Sequence, residues 1–241
     1  MGELTAFVTG ADHGLGYALT EALLGRGWHV VAGRYAPQES RLAALTSAHD
    51  ERLTLVDLDV GDLRSVRMAA EATLDRRPVI DLLINNAATL GNDGLERRIS
   101  DGLPYDTIAE TISVNALGPF RMVESLLPGL ERSQMRRLCF VSSEAGCIAR
   151  SHRRSWYGYS MSKSALNMGV SILFNDLRPA GYTFRLYHPG WMRTFMKGVE
   201  DMNAELSPAQ AADAALACFL DAEVDEDRLV MRDHTGAEWP W

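Results

Sequence analysis

Leu4-Thr-Ala-Phe-Val8-Thr9-Gly10-Ala11-Asp12-His13-Gly14-Leu15-Gly16 decides the fold of this chain. The apolar run Leu4–Val8 reads as a buried strand. Leu15, Ala18, Leu19, Ala22 and Leu23 then recur at helical spacing and form the inward face of a helix over Gly14–Gly25. Between them lies a glycine-rich turn. Glycines let the backbone turn sharply and let a ligand approach the main chain. Free N–H groups at a helix start, with the helix dipole behind them, suit a pyrophosphate. The spacing Gly10-xxx-Gly14-x-Gly16 is not the GxGxxG of the usual dinucleotide fingerprint. Its place between a first strand and a first helix is what makes it a nucleotide-binding candidate.

The alternation continues outward from this unit. Further strands are predicted at 29–32, 53–58, 79–84, 138–141, 183–187 and 228–231, with helices at 39–48, 63–74, 105–127, 159–177 and 208–220. Pro128-Gly129 is expected to end the long fourth helix, and Pro179 and Gly181 the fifth. Residues 88–103 and 146–155 read as loops, the second carrying the basic run Arg150-Ser-His-Arg-Arg154. Strand–helix alternation of this kind predicts right-handed βαβ units and a Rossmann-like α/β fold. The expectation is a doubly wound, mostly parallel seven-stranded sheet flanked by helices. No linker, repeat or low-complexity block interrupts the 241 residues, so a single domain over 1–241 is expected.

Composition narrows the function classes. Hydrophobic residues make up 46%, enough for a sizeable core. The net charge is −8, from 32 acidic and 24 basic residues, which argues against a nucleic-acid partner. Cys139, Cys147 and Cys218 are scattered and odd in number, without a CxxC or Cys/His cluster, so no metal site is expected. They read as small apolar residues of a reducing compartment. The apolar run at the N-terminus lacks a basic region before it, and no apolar run approaches the ~18 residues of a membrane span. A cytoplasmic protein without membrane or nucleic-acid contacts is the expectation.

Two further features carry chemistry. Tyr159 and Lys163 lie four residues apart, one turn of a helix, so both side chains share a face. An ammonium beside a phenol stabilises phenolate, which makes Tyr159 a candidate general acid/base at neutral pH. Tyr157 competes for the role, but the residue four beyond it is Met161. The second strand ends Val31-Ala-Gly-Arg34, without the carboxylate that would bind both ribose hydroxyls of NAD. Arg34, assisted by His13 in the turn, suits the 2′-phosphate of NADP. NADP is therefore favoured over NAD; the bland alternative makes Arg34 a solvated loop residue.

Read together, these pieces resemble the short-chain dehydrogenase/reductase family in its single-domain branch. Thr9-Gly10-xxx-Gly14-Leu15-Gly16 is similar to the family's cofactor turn, and Asp59-Val60 to the pair that holds the adenine. Asn85-Asn86-Ala87-Ala88 resembles its Asn-Asn-Ala-Gly, with Ala88 in place of the glycine. Asn115 in Val114-Asn-Ala-Leu-Gly-Pro119 matches its helix asparagine, and Ser143 in Ser142-Ser143-Glu-Ala-Gly146 its catalytic serine. Pro189-Gly190-Trp-Met192-Arg-Thr194 matches the segment beside the nicotinamide. His188-Pro-Gly-Trp and the closing Asp233–Trp241 look like a subset near the bacterial C-factor and the insect sniffer carbonyl reductases.

The resemblance implies an NADP(H)-dependent oxidoreductase acting on a carbonyl or secondary alcohol. Tyr159 would exchange the proton on the substrate oxygen, and Ser143 would donate to that oxygen. Lys163 would lower the Tyr159 pKa and bond the nicotinamide ribose, and Asn115 would hold a water behind it. Three departures stand out. Ala88 could crowd the cofactor, the gap from Ser143 to Tyr159 is a little long, and Glu144 is an unusual charge that reads best as solvent-facing.

A substrate lid is expected over about 190–206, where Trp191, Met192, Phe195 and Met196 suit an apolar carbonyl substrate. Burial of these residues in the fold or an interface is the rival reading. A basic loop at Arg150–Arg154 is more simply solvated than anion-binding. The family commonly pairs subunits through the long helix and the Tyr159 helix, so a homodimer or homotetramer is expected. Rival readings are a non-catalytic NADP-binding redox-sensing regulator, a nucleotide-sugar epimerase or dehydratase, and a structural protein with a vestigial site. The first need not keep a proton relay; the second usually needs a longer C-terminal region.

Overall fold

In the computed structural model, residues 4–37, 41–49, 51–91, 93–193, 201 and 203–241 are described. The strands are β1 (Thr5–Val8), β2 (His29–Arg34), β3 (Leu53–Asp57), β4 (Leu82–Asn85), β5 (Arg137–Val141), β6 (Thr183–His188), β7 (Met231–Asp233) and β8 (Glu238–Trp239). The helices are α1 (Gly14–Gly25), α2 (Leu42–His49), α3 (Leu63–Arg76), α4 (Tyr105–Ile112), α5 (Gly118–Leu130), α6 (Tyr157–Leu177) and α7 (Pro208–Phe219).

All strands join one sheet in the order β3-β2-β1-β4-β5-β6-β7-β8. Among the described residues, only the β7–β8 pairing is antiparallel. The sheet has eight strands rather than the expected seven, because the chain turns at Gly236 and adds the two-residue β8 as a new edge. Strand order reverses direction at β1, which lies between β2 and β4. Open α/β sheets bind ligands at such a switch point, outside the C-terminal ends of the strands.

Both faces of the sheet are covered, which explains why its strands are near-continuous apolar runs. Side chains alternate between two cores. On one face Ala6, Val8, Val30 and Ile84 pack with Leu19 and Leu23 of α1 and with Leu216 and Phe219 of α7. On the other, Phe7, Val31, Leu83 and Phe140 pack with Val66 of α3, Met122 and Leu126 of α5, and Leu166 and Val170 of α6.

Pro128-Gly129 does not end the long helix, as the sequence suggested. Pro128 lies in the last turn of α5, on its exposed face, where water reaches the carbonyl left without an N–H. Gly129 serves packing instead: a Cβ there would come within 2.5 Å of Leu74 Cδ2. The helix is also not uniform. Between α4 and α5, Ser113–Leu117 form a π-type turn. Pro119, two residues after it, has no N–H to give to a carbonyl of this turn. Such turns recur at functional sites. Among the described residues, no helix is long and apolar enough to cross a membrane.

Candidate active site

A cavity of about 1060 Å³ runs across the C-terminal rim of the sheet. Its floor begins at Leu58-Asp59-Val60 after β3, passes Gly10–Gly16, and ends at Ser143, Tyr159 and Lys163.

The Gly10–Gly16 turn is held from behind. Gly10 has φ 64°, and a Cβ there would sit 2.8 Å from the Ala87 Cα. A Cβ on Gly16 would meet the Gly10 carbonyl oxygen at 2.0 Å, so both positions exclude larger residues. Asn86 donates its amide N–H groups to the Thr9 and Gly10 carbonyls at 2.9 and 3.1 Å, and the Thr9 hydroxyl accepts from the N–H groups of Asn86 and Ala87. Asn86 therefore shapes the turn. No side chain caps α1, whose N-cap residue is His13. Its first N–H groups face the cavity, the arrangement that holds a phosphate. Asp12 accepts the Tyr35 N–H at 2.7 Å through one carboxylate oxygen, while its other oxygen is buried without a partner and available to a hydroxyl. The turn, the Asp59-Val60 shelf and the cavity length fit an extended dinucleotide.

Arg34 lies at the rim but does not line the cavity, because its guanidinium donates to Asp57 at 2.7 Å. Ala88 lines the cavity without obstructing it. His188, Pro189, Gly190, Trp191 and Met192 form the far wall. Thr194, Phe195 and Met196 lie outside the described residues. Around them, Met192 pairs with Leu206, the Arg193 N–H donates to the Leu206 carbonyl at 2.9 Å, and the Trp191 indole N–H donates to Asp201 at 3.0 Å.

At the deep end, α6 holds the serine loop. Ser142 donates to Asn167 at 2.6 Å, and Asn167 and Ser164 donate to the Gly146 carbonyl. A Cβ on Gly146 would lie 2.8 Å from the Lys163 backbone carbon, so loop and helix touch here. Ser143 caps the short turn at Glu144–Gly146, accepting the Ala145 N–H at 3.1 Å. Ser143 and Tyr159 thereby face one another across the cavity floor.

Lys163 is 3% exposed and donates to the Val141 carbonyl at 2.9 Å. Burial without a carboxylate lowers its pKa to about 8. Tyr159 is shifted upward, chiefly by burial; the Ser143 hydroxyl opposes this, Glu144 reinforces it and Arg153 opposes it. The net shift is upward, against the lowering expected from Lys163, because burial is the largest influence on this phenol. The ammonium lies 5.7 Å from the phenol ring centroid and is turned to Val141, so burial dominates.

Asn115 does not line the cavity. Its amide accepts from the Thr89 N–H at 2.8 Å and donates to the Thr89 carbonyl at 2.7 Å and to Ser162 at 3.0 Å, tying the loop after β4 to α6. Glu144 is not merely solvent-facing, as the sequence suggested. It pairs with Arg153, and both line the cavity. Arg150 is likewise engaged, over the Trp239 ring at 5.0 Å. Sequence reasoning also missed Asp12 and Trp156 as cavity residues. Asp12 stood inside a quoted motif; Trp156 carried no sequence signal.

Comparison with known proteins agrees with this geometry. The family model described as short chain dehydrogenase matches residues 4–204. The C-signal protein of Myxococcus xanthus is 39% identical over 162 residues, covering 67% of this chain and 93% of that one. An NADPH-bound carbonyl reductase from chicken fatty liver superposes with a TM-score of 0.87 at 25% identity, covering both chains in full. A short-chain dehydrogenase/reductase from Burkholderia multivorans with bound NADP gives 0.85 at 29% identity, again over both full chains.

Proposed function

The chain belongs to the short chain dehydrogenase family, and on that premise we propose that it is an NADP(H)-dependent carbonyl reductase with Tyr159 as its proton donor. The observation that carries this reading is the convergence of Ser143, Tyr159 and Lys163 on one end of a cavity whose other end is an uncapped, glycine-shaped helix N-terminus. Bound NADP(H) would supply the hydride. The chain's own residues do the rest. The upward-shifted phenol of Tyr159 holds its proton at neutral pH and gives it to the carbonyl oxygen as charge develops there. Ser143 donates to the same oxygen. Lys163 stays mostly protonated at pH 7 and placed to favour the phenolate left behind. The open N–H groups of Gly14–Gly16 and the Asp59-Val60 shelf hold the cofactor's phosphates and adenine. Asn115, at the π-type turn behind Lys163, is the anchor for a water that reprotonates Lys163.

NADP is preferred to NAD because β2 ends in Arg34 and carries no carboxylate, and the two NADP-carrying neighbours support it. Residues 190–206 act as the substrate lid. Met161, Met168 and Ile172 of α6 are 50%, 63% and 63% exposed and lie along one stripe, which we read as a subunit contact; light scattering at the dimer or tetramer mass is the expected result.

The test is Tyr159→Phe and Ser143→Ala, with NADPH binding and carbonyl reduction measured separately. Binding is expected to persist while turnover falls by on the order of 10² or more. Near-normal turnover in Tyr159→Phe overturns the mechanism. A wild-type protein that binds NADPH but reduces no aldehyde, ketone or quinone is a nucleotide sensor instead.

A further inference from the structure

Trp156 stands immediately before α6 in a left-handed backbone conformation, φ 66° and ψ 34°. A bulky residue is rare there and persists only where its surroundings hold it. Trp156 is held from several sides. Its backbone N–H donates to the Leu95 carbonyl at 2.9 Å. Its indole N–H donates to one Glu96 carboxylate oxygen at 2.6 Å, and Ser155 donates to the other at 3.1 Å. The Arg153 guanidinium lies 4.5 Å over the indole ring, and Arg153 in turn pairs with Glu144, the residue after Ser143. These contacts link the loop after β4 to the serine loop around the mouth of the cavity.

The indole meets the Tyr159 ring edge-on, with centroids 6.1 Å apart and planes at 78°. It also packs on a small apolar cluster formed by Leu90, Ala145 and Tyr159. Trp156 lines the same cavity as Ser143 and Tyr159. With its N–H committed to Glu96, it offers that cavity ring carbon. The neighbouring charge is closed, because Glu144 neutralises Arg153, so an anionic substrate gains little at this wall.

We propose that Trp156 is the specificity-determining platform for a planar, uncharged apolar substituent on the carbonyl substrate, and that Glu96 is the positioning residue that sets the indole plane. Aromatic faces favour flat apolar partners in offset or edge contact. A hydrogen-bonded, cation-covered indole cannot swing away as an unanchored one would, so the platform is fixed before substrate arrives. Glu96 touches neither the Ser143–Tyr159 pair nor the nucleotide turn and acts only through Trp156 and Ser155.

This inference rests on the carbonyl reductase reading, and one kinetic comparison separates the two. NADPH-dependent reduction of benzaldehyde and of propanal is measured in wild type, Trp156→Ala, Trp156→Phe and Glu96→Gln. Trp156→Ala is expected to lower kcat/KM for benzaldehyde about tenfold more than for propanal, with the difference in KM. Trp156→Phe should recover most of it. Glu96→Gln should shift the same ratio by about threefold, a selective change that general destabilisation does not produce. Equal proportional losses on both aldehydes overturn the platform and leave the reductase reading intact. Should Trp156→Ala not fold, the aldehyde ratio in Trp156→Phe and Glu96→Gln decides, and an unchanged ratio in both overturns it. A wild type that binds NADPH and reduces neither aldehyde overturns this inference, and the reductase reading falls with it when ketones and quinones are not reduced either.

Discussion

The two rims of the sheet treat buried charge in opposite ways. At the N-terminal rim, the Asp81 carboxylate accepts from the Thr5 N–H at 2.8 Å and from Ser133 at 2.6 Å. Nearby, Arg137 and Arg185 share the carboxylate of Glu226, and their other bonds go to the Thr183 hydroxyl and to the carbonyls of Phe219, Asp221, Cys218 and Phe184. At the C-terminal rim, Lys163 is buried against a single carbonyl, one oxygen of Asp12 and Nδ1 of His188 are buried without partners, and Trp156 sits in a left-handed conformation. A group whose bonds are all made within the protein has nothing left for a ligand. A group left short of bonds costs stability until something arrives. The contrast in charged groups separates a first rim closed around its ions from a second that leaves groups open to a ligand, although the Tyr182 hydroxyl at the first rim is also buried without a partner.

The comparison breaks most easily at Glu226. Glu226→Ala leaves two guanidiniums buried beside each other, since the Arg137 and Arg185 side chains are only 8% and 2% exposed. Removing one member of a buried charge network typically costs about 3–5 kcal/mol. Urea unfolding is expected to show that loss, with turnover per folded molecule unchanged, because the cluster is at the rim opposite the cavity. A loss below about 1 kcal/mol would mean that this rim is no better closed than the other.

Lys163→Met is expected to act with the opposite sign. The folded protein holds Lys163 at a pKa of about 8, against 10.5 for an exposed lysine. Between those two values the unfolded chain binds more protons, so this group's penalty is full below about pH 8 and fades as pH rises toward 10.5. Replacing it should stabilise the ligand-free protein at pH 7 by on the order of 3 kcal/mol at most, less what the lost Val141 bond contributed. The advantage should disappear by about pH 10.5, while turnover falls by on the order of 10² or more at every pH. Urea midpoints at the two pH values, beside an activity assay, check both halves. A less stable variant at pH 7 would place Lys163 among the satisfied groups.

What the sequence made legible follows the same division. The mostly parallel α/β alternation and α1, whose ends at Gly14 and Gly25 coincide with the expected ones, rest on local apolar periodicity. Ser143, Tyr159 and Lys163 were legible because each stands in a short motif fixed to a strand end or a helix face. The π-type turn at Ser113–Leu117 was not, since a single proline inside a helical pattern does not reveal how the turn before it adjusts. Nor was the Glu96–Trp156–Arg153–Glu144 chain, whose first link joins residues 60 positions apart. The upward net shift of Tyr159 has a similar origin. Spacing placed the ammonium near the phenol, but only tertiary burial decides which influence on the phenol is larger.

Arg34 and Asp57 sharpen the comparison at its smallest scale. This pair sits at the open rim and is closed: Arg34 donates to Asp57 at 2.7 Å, with side-chain exposures of 28% and 70%. An exposed pair of this kind is worth roughly 0–1 kcal/mol. A 2′-phosphate reaching Arg34 must displace Asp57 or lie beside its negative charge, so the carboxylate opposes the ligand that the arginine favours. Asp57→Asn removes the opposition and keeps the side-chain shape. NADPH is expected to bind about threefold more tightly, with NADH unchanged, and the gain should shrink in high salt because the contact is screened. Weaker NADPH binding would show that Asp57 orients the guanidinium for the phosphate. The closed pair would then be part of the cofactor site rather than a competitor for it.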